Sequence, residues 1–274
     1  MITPRGPWRR AGRHGLLGLA CFVLLFPVLW ALSGSFKRPD DLFAADPLPS
    51  PVSLDNYQVA IEQFPLPRLL LNTLITAAGV TAGDLVIATL AAYALVRLRF
   101  RGSAALLATI VVALLIPAQT LIIPQFLLVA RLHWLDSYPG LIMPQLGGCA
   151  LAVLLLRQNI RAIPDELFAA AQLDGANSLR TLWHVVLPLL WPALGAVAIL
   201  QFITTWNEYL WPMLAAPTPQ HTTIQMGLTL FTNTEGSNPG PLLAAAMLAT
   251  LPVVAVYLVA ARRITAAFLH SGLR

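Results

Sequence analysis

Six long apolar runs constrain this chain more than any other feature of its sequence. They lie at residues 15–35, 69–96, from 103 onward, 138–157, 187–211 and 242–261. An α-helix needs about 20 predominantly apolar residues to cross a bilayer. Lipid offers no hydrogen-bond partners, so each run must satisfy its own backbone, and an isolated strand cannot do so. The sequence therefore predicts an all-α integral membrane protein with six transmembrane helices.

The composition supports a membrane protein and argues against several other classes. Hydrophobic residues make up 57% of the chain and charged residues only 11%, whereas soluble domains carry about 25% charged residues. The basic residues are scattered singly or in short groups, which argues against nucleic-acid binding. Cys21 and Cys149 both lie in apolar runs and cannot form a disulfide framework or a metal motif. No phosphate-binding loop, zinc motif or nucleophile elbow occurs, so we expect no metal, no cofactor and no enzymatic activity in this chain.

Two of the predicted spans have features of their own. The first follows four arginines and has small residues at its end, as a cleaved signal peptide does, but its 21 apolar residues exceed the usual run of about 7–15. We therefore expect an anchoring helix, with a cleaved signal peptide as the alternative. The third span contains Pro117 and Pro124, which we expect to kink or end it because proline removes a helix donor.

The basic residues predict the orientation of the spans. If the six runs alternate in direction, thirteen of the 17 Lys and Arg residues fall on one side and four on the other. The richer side should face the cytoplasm. This places at the cytoplasm an N-terminal arm (residues 1–14), a loop (158–188) and a C-terminal tail (265–274), around a permease domain of residues 15–264. The two longer outer segments, 36–67 and 212–241, read as loops, the second with a turn-forming cluster, "TNTEGSNPGP".

The loop 158–188 is unusually polar for this chain, with "PDELFAAAQLDGANSLRTLWHVVLP" at residues 164–188. Pro164 can open a helix whose first turn holds Asp165 and Glu166, favourable at the positive end of the dipole. Leu167, Ala170, Ala171 and Asp174 would share one narrow face. Gly175 permits a sharp turn. We predict a helix–turn–helix on the cytoplasmic face.

The second helix of this loop would be capped by Asn177 or Ser178. Its predicted apolar stripe consists of Leu179, Leu182, Trp183, Val186 and Leu187, with Arg180, Thr181 and His184 opposite. Pro188 would mark the passage into the next span. The small residues of the first helix favour docking of another protein. An interfacial helix pair packed on lipid, which would use larger apolar residues and more cations, is the alternative.

The segment "AAAQLDGANSLRTLWHVVLPLLWP" resembles the E-A-A-x-x-D-G-A … L-P signature of ABC importer membrane subunits. The matching residues are Ala170, Ala171, Asp174, Gly175, Ala176, Leu187 and Pro188. Ala169 stands where the family has Glu, which removes one charged contact. In that family this loop is the coupling helix that docks into a groove on the cytoplasmic ATPase. The resemblance therefore implies ATPase coupling through these residues together with Glu166.

Other segments resemble the carbohydrate-uptake branch of that family, specifically its maltose-type second permease. They are "AAYALVRLRFRG", "IPAQTLIIPQFLLVARLHWLDSYPGLIMP" and "TTWNEYLWPML", whereas the C-terminal "RRITAAFLHSGLR" departs from the family's glycine-rich ending. The resemblance implies the type I importer fold, import of a sugar or glycerol-phosphate-type solute by alternating access, and a multi-pass location in the bacterial cell membrane. It also implies a second permease, two ATPase subunits that bind ATP and Mg, and an external solute-binding protein. A stand-alone secondary transporter is the alternative, although the scarcity of buried acids argues against it.

Six side chains are candidates for a solute path: Asp84, Gln119, Trp206, Asn207, Glu208 and Tyr209. An unpaired acid at a helix centre costs about 3 kcal/mol, so Asp84 should face the bundle interior and meet a partner there. It would serve either structure or solute binding. The Trp-Asn-Glu-Tyr cluster would either line a cavity, since aromatic faces and polar groups bind sugars, or anchor the chain at the membrane boundary. Gln119 and Gln125 would satisfy backbone groups freed by the prolines or line the path.

Overall fold

The computed structural model describes residues 7–38, 41–42, 46–62, 64–98, 100–233 and 239–271. The helices are α1 (Pro7–Ser35), α2 (Asp55–Glu62), α3 (Leu66–Arg97), α4 (Ser103–Ala113), α5 (Ile122–Arg131), α6 (Tyr138–Ile142), α7 (Ala150–Arg161), α8 (Asp165–Leu173), α9 (Ser178–Thr181), α10 (Leu187–Trp206), α11 (Leu210–Ala215), α12 (Ile224–Asn233) and α13 (Pro239–Ser271). No β-strand occurs in the described part of the chain. The all-α class predicted from the sequence is confirmed.

In the part of the chain that the structure describes, four continuous helices are long and apolar enough to cross a membrane. They comprise Arg13–Ser35, Leu66–Arg97, Ser178–Trp206 and Pro239–Val259. Two further spans are bent pairs of helices, Ser103–Ala113 with Ala118–Arg131 at 98° and Tyr138–Gly148 with Ala150–Arg161 at 51°. With each bent pair counted as one span, the described residues contain the six spans that the apolar runs predict.

The break in the third span lies at Pro117, as predicted. The helix ends at Ala113, and Pro117 has an extended ψ of 133° before a 3₁₀ turn, Ala118–Leu121, leads into α5. Proline disfavours helical geometry at the residue before it, which accounts for the break. Pro124 does not interrupt the chain, because it is the third residue of α5. A first-turn residue has no intrahelical N–H bond to lose.

Residues 1–66 and 228–250 form one compact unit. Within its described part, the end of α1 is joined to α2 by buried polar contacts. Asn56 Nδ2 donates to the carbonyls of Ser35 (3.1 Å) and Lys37 (2.7 Å), and the Ser35 and Tyr57 hydroxyls lie 2.8 Å apart. Gly240 packs so closely on Asn56 that a Cβ would overlap its side-chain amide. The outer segment 36–67, predicted as a loop, therefore contains a short buried-faced helix.

Residues 67–227 and 251–274 form the second compact unit. Its main core cluster is formed by side chains of α3, α7, α8, the π-helical turn Leu182–Val186 and α10, including Ala92, Leu156, Phe168, Val186 and Leu190. A second cluster joins α5, α6 and α11 around Leu141 and Trp211. The outer segment 212–241, expected as a loop, instead contains α12 and most of α11, which begins in the predicted fifth span. Of the predicted turn cluster, residues 234–238 lie outside the described residues.

The helical ends extend past two predicted domain boundaries. α1 begins at Pro7, inside the predicted arm 1–14, and α13 continues to Ser271, inside the predicted tail 265–274. The remaining residues of both segments, 1–6 and 272–274, lie outside the described part of the chain.

Candidate functional site

The loop predicted to be a helix–turn–helix begins with α8. Pro164, with an extended ψ of 138°, precedes the helix, and Asp165 and Glu166 occupy its first turn. Carboxylates there interact favourably with the positive end of the helix dipole. The predicted start of this helix is confirmed.

The turn after α8 forms because Gly175 adopts the left-handed backbone, with φ at +73°. Its N–H donates to the Gln172 carbonyl (3.0 Å), and the Ala176 N–H donates to the Ala171 carbonyl (2.9 Å). These two bonds make a Schellman motif, which satisfies carbonyls that the helix end leaves without donors. Asn177 then caps α9, since its side-chain oxygen accepts from the Arg180 N–H at 2.9 Å. The predicted turn at Gly175 and cap at Asn177 are both found.

The face of α8 that was predicted to receive another protein is exposed at three of its four residues. Phe168 and Ala171 are its buried residues, whereas Leu167, Ala170 and Asp174 are exposed. The prediction that Leu167, Ala170, Ala171 and Asp174 share one accessible face is therefore wrong for Ala171. The bulky Phe168 packs in the core cluster with α3 and α10, and this contact sets the rotation of the helix.

The second helix departs from the prediction in two ways. α9 passes through a π-helical turn, Leu182–Val186, directly into α10, so Ser178–Trp206 is one continuous span. The π turn precedes Pro188, whose ring would crowd the carbonyl four residues earlier in a regular helix. The predicted apolar stripe is also wrong: Leu182 and Val186 are buried, but Leu179 and Trp183 are exposed. Thr181, expected on the polar side, is buried.

The C-terminal end of α3 holds this loop in place through contacts that the sequence analysis missed. Arg97 Nη1 donates to Asp165 Oδ1 at 2.6 Å, and the Arg97 guanidinium lies 3.5 Å from the centre of the Phe168 ring. The Tyr93 hydroxyl donates to the Ser178 carbonyl at 3.0 Å. In the sequence, Arg97 was read only as one of the basic residues that orient the spans. Its place beside an aromatic ring depends on the fold, and nothing in the local pattern indicates it.

The exposed surface of the loop carries small, acidic and apolar side chains. It consists of Glu166, Ala169, Ala170, Leu173, Asp174 and Gly175, and we call it the α8 surface. Leu173 is 90% exposed, the largest value among the exposed large hydrophobic residues described. Ala176 is half-buried beside it, while Leu187 and Pro188 lie in the first turn of α10 rather than on this surface. Small side chains with one apolar tip allow a second protein to approach the helix backbone closely.

The Trp-Asn-Glu-Tyr cluster at the end of α10 is divided between buried and exposed positions. Trp206 is buried, with its ring 5.4 Å from that of Phe202. Glu208 accepts from the N–H groups of Leu210 (3.1 Å) and Trp211 (3.2 Å) and so caps α11. Asn207 and Tyr209 are exposed. The Asn207 amide, although exposed, donates to the Ile203 carbonyl at 2.8 Å and accepts from Gln225 Nε2 at 3.2 Å. Trp206, Asn207 and Glu208 therefore all have structural contacts.

Asp84 and Gln119 lie in contrasting environments. Asp84 is fully buried in α3, and neither of its carboxylate oxygens has a hydrogen-bond partner among the described residues. The partner that we expected there is not found. Gln119 is exposed in the 3₁₀ turn at the break of the third span. Gln125 donates to the Pro144 carbonyl at 3.5 Å, a long contact. Among the residues that the structure describes, no three His, Cys, Asp or Glu side chains are grouped as metal ligands would be.

The chain matches permease proteins over nearly their whole length. The chain is 34% identical over 272 residues to the sn-glycerol-3-phosphate transport system permease protein of Escherichia coli O1:K1 / APEC, covering 96% of each chain. It is 32% identical over 259 residues to the protein of the same name from Yersinia pestis bv. Antiqua (strain Antiqua), covering 91% of this chain and 92% of that one.

The fold is shared with a solved importer. The structure matches a chain of a bacterial ABC transporter involved in the import of the acidic polysaccharide alginate, with a TM-score of 0.83 at 24% identity. The match covers 95% of this chain and 99% of that chain. At this identity the likeness shows the fold alone, which is that of a type I importer transmembrane domain.

The family is established by a direct match. Residues 84–268 match the family described as binding-protein-dependent transport system inner membrane component. This segment contains α4 to α12, with the Gly175 turn and the Trp-Asn-Glu-Tyr cluster. The chain belongs to this family, and it is a multi-pass permease component of a binding-protein-dependent ABC importer.

Proposed function

We propose that this chain is one of two permease subunits that import a sugar or a glycerol-phosphate-type solute, powered by a separate ATPase. The observation that carries the proposal is the α8 surface, which is exposed and followed by a Schellman turn into a continuous span. The relatives named as sn-glycerol-3-phosphate permeases support the solute class. The importer of alginate, another carbohydrate, has the same fold.

In this proposal the chain itself performs no chemical step. Two cytoplasmic ATPase subunits bind ATP and Mg and hydrolyse the nucleotide, and this chain binds no cofactor. The α8 surface docks on one of these subunits. Because α9, the π turn and α10 are continuous from Ser178 to Trp206, a displacement of the docked loop moves a whole span. That movement would alternate the access of the solute path between the two sides.

The orientation in the membrane follows from the basic residues. The α8 surface, both termini and the Arg97 end of α3 would face the cytoplasm, and the segment after α11 would face outward. An external solute-binding protein would deliver solute there. Membrane lipid and the second permease would cover the apolar length of α1, whose most hydrophobic window has no buried residue.

The exposure of the six candidate residues reduces the number that we propose to contact solute. Asn207, Tyr209 and Gln119 present surface and combine amide groups with an aromatic face, which suits a polyhydroxyl solute. Trp206 and Glu208 would position these residues without touching solute. Trp206 would do so by packing, and Glu208 by capping α11. Asp84, buried without a described partner, would not touch solute in this conformation.

The test of this function is reconstitution. The chain purified with its co-expressed partners should bring down a nucleotide-hydrolysing subunit. Vesicles containing the assembly should take up solute only with ATP on the ATPase side and the binding protein on the other. Uptake by the chain alone, driven by an ion gradient, would instead make it a stand-alone secondary transporter.

Ala169 offers a focused test of the docking surface. The residue is exposed on α8 at the position where the resembling signature has Glu. We expect Ala169→Glu to preserve or strengthen ATPase association in a pull-down titration, because it restores a charged contact. A clear weakening would mean that α8 lies in its groove in a different rotation.

A further inference from the structure

The helix α3 has side-chain contacts at both ends with segments that are distant in sequence. It contains 32 residues, which corresponds to a length of about 48 Å at 1.5 Å per residue. One end contacts the loop that carries the α8 surface. The other end contacts residues 216–224, which we call the post-α11 segment. A single rigid element therefore touches both regions.

At the Arg97 end, the contacts differ in strength. The ion pair with Asp165 is weak, because Asp165 is 89% exposed and such pairs are worth little. The guanidinium over the ring of Phe168 is the stronger contact, since that ring is buried and the cation is partly desolvated. The hydrogen bond from Tyr93 to the Ser178 carbonyl adds α9 to the same joint. Both helices of the loop are thereby attached to α3.

At the other end, Asn72 is the central contact. Its buried side chain donates to the carbonyls of Gln220 and Thr222, each at 3.0 Å, and accepts from the Tyr138 hydroxyl at 2.7 Å. At the next residue, the Thr73 hydroxyl accepts from the Ile224 N–H at 2.8 Å. These bonds satisfy backbone groups of a segment that is irregular until α12 begins at Ile224. Asp136 also holds the segment, because its carboxylate accepts from the Thr218 hydroxyl at 2.7 Å. The position of residues 220–224 therefore depends in part on α3.

Between its ends, α3 packs closely against the bent span that contains α6. A Cβ at Gly79 would lie 2.7 Å from Ile142, and one at Gly83 would lie 2.6 Å from Leu146. The two glycines lie one turn apart on one face of the helix. The middle of α3 therefore packs on the span that contains α6, while its two ends contact the docking loop and the post-α11 segment.

We propose that α3 is a transmission rod between the docking loop and the post-α11 segment, with Arg97 and Asn72 as its positioning residues. This inference rests on the proposed function, in which the ATPase and the binding protein act at opposite sides. Coupling between distant sites requires an element whose state both sites bias, and α3 makes direct contacts with both. A shift of α8 and α9 on ATPase closure displaces Phe168 and Ser178, moves α3 through Arg97 and Tyr93, and repositions residues 220–224 through Asn72.

The test measures how strongly the solute-loaded binding protein stimulates ATP hydrolysis by the full complex in lipid nanodiscs. Mutations along a coupling element change the coupling by about 2- to 30-fold. We expect Asn72→Leu, which removes the Asn72 bonds to Gln220 and Thr222, to lower this stimulation within that range. The bonds from Arg68 to the Gln220 carbonyl and from the Ile224 N–H to Thr73 remain in this variant. Unstimulated hydrolysis should stay at the wild-type rate, because Asn72 lies at the other end of the helix from the docking loop.

The second variant acts at the Arg97 end. Arg97→Gln removes the ring contact and the ion pair, and Arg97→Lys, which keeps the charge, should restore part of the stimulation. If both ends act through one rod, the double variant Asn72→Leu/Arg97→Gln loses no more stimulation than the single variant that has the larger loss. Independent effects would multiply, and that result would overturn the proposal.

Matched controls separate this role from general damage. Arg101→Gln removes an exposed basic residue in the turn before α4, and Thr109→Val removes a hydroxyl that bonds only within α4 at 3.0 Å. Both should keep wild-type stimulation. Tyr93→Phe deletes a single hydroxyl and so tests the same joint if Arg97→Gln fails to assemble.

The outcomes distinguish the two proposals. A wild-type chain that brings down no ATPase contradicts the proposed function. A complex that assembles and is stimulated, but keeps full stimulation in Asn72→Leu, Arg97→Gln and Tyr93→Phe, contradicts the transmission role alone. Equal losses in the two control variants would also contradict it.

Discussion

Gly175 shows how a single residue determines the shape of the α8 surface. Its φ of +73° places it in the left-handed region, where the Schellman bonds to Ala171 and Gln172 become possible. A Cβ at this position would meet no atom within 4 Å. Any penalty for a side chain therefore comes from the backbone conformation and not from crowding.

This predicts a specific ranking of substitutions at Gly175. The left-handed conformation costs an L-residue about 1–2 kcal/mol, with Asn among the tolerant residues. We expect Gly175→Val to weaken ATPase association by about 5- to 30-fold, the equivalent of that cost. Gly175→Asn should remain near wild type. Titration of the ATPase against nanodiscs measures both, and equal weakening would show that side-chain volume in the interface matters instead.

Asp84 is a residue whose contribution to stability we expect to be unfavourable. Leaving a buried polar group without a partner costs about 1–3 kcal/mol. Asp84→Leu, which is similar in size, should therefore raise the free energy of unfolding of the purified complex by up to this amount. Asp84→Asn should gain less, because its amide also lacks a described partner.

Thermal unfolding in detergent, monitored together with uptake, tests Asp84. Higher stability with unchanged uptake is the expected result. A loss of uptake in a well-folded Asp84→Leu complex would assign the carboxylate a part in transport that this conformation does not display.

At the scale of elements, α11 depends on one side chain for its start. The helix has six residues, and the N–H groups of Leu210 and Trp211 are bonded by the Glu208 carboxylate. Trp211 in turn donates its indole N–H to the Gly140 carbonyl at 3.1 Å. The cap therefore also positions the contact between α11 and α6.

Two variants of Glu208 separate capping from solute binding. Loss of a capping acceptor typically costs about 1 kcal/mol, so Glu208→Ala should lower the free energy of unfolding by roughly this amount. Glu208→Gln keeps an acceptor oxygen and should keep both stability and uptake. If Glu208→Gln keeps stability but loses uptake, the charge itself acts on the solute. Calorimetry and vesicle uptake on the same preparations decide between these results.

At the scale of the whole molecule, the orientation of the spans can be measured with single cysteines. The background replaces Cys21 and Cys149, the free cysteines of the described chain, by Ala. Ala170→Cys reports on the α8 surface and Gln220→Cys on the post-α11 segment, and both positions are exposed. An impermeant maleimide added to intact cells should label only Gln220→Cys, and Ala170→Cys should react after the membrane is opened. The reverse pattern would invert the topology.

Features that depend on local chemistry could be predicted from the amino-acid sequence. Six apolar runs predict the spans because an unpaired backbone is excluded from lipid. Pro117 predicts the break in the third span because proline removes a donor and restricts its neighbour. Pro164, Gly175 and Asn177 predict the start, turn and cap of the docking loop. Each of these needs only a few consecutive residues.

Which helix faces are buried depends on packing between elements that are distant in sequence. Ala171 is buried although it was expected to share an accessible face with Leu167 and Ala170. Trp183 is exposed, and Trp206 is buried. The contacts of α3 with Ser178, Phe168 and Gln220 join residues about 70 to 150 positions apart, beyond any local pattern. The physical reason is the solvent: lipid tails are as apolar as leucine, so hydrophobicity no longer separates a buried face from an exposed one. In this chain, contacts between helices determine which face is buried and which is exposed.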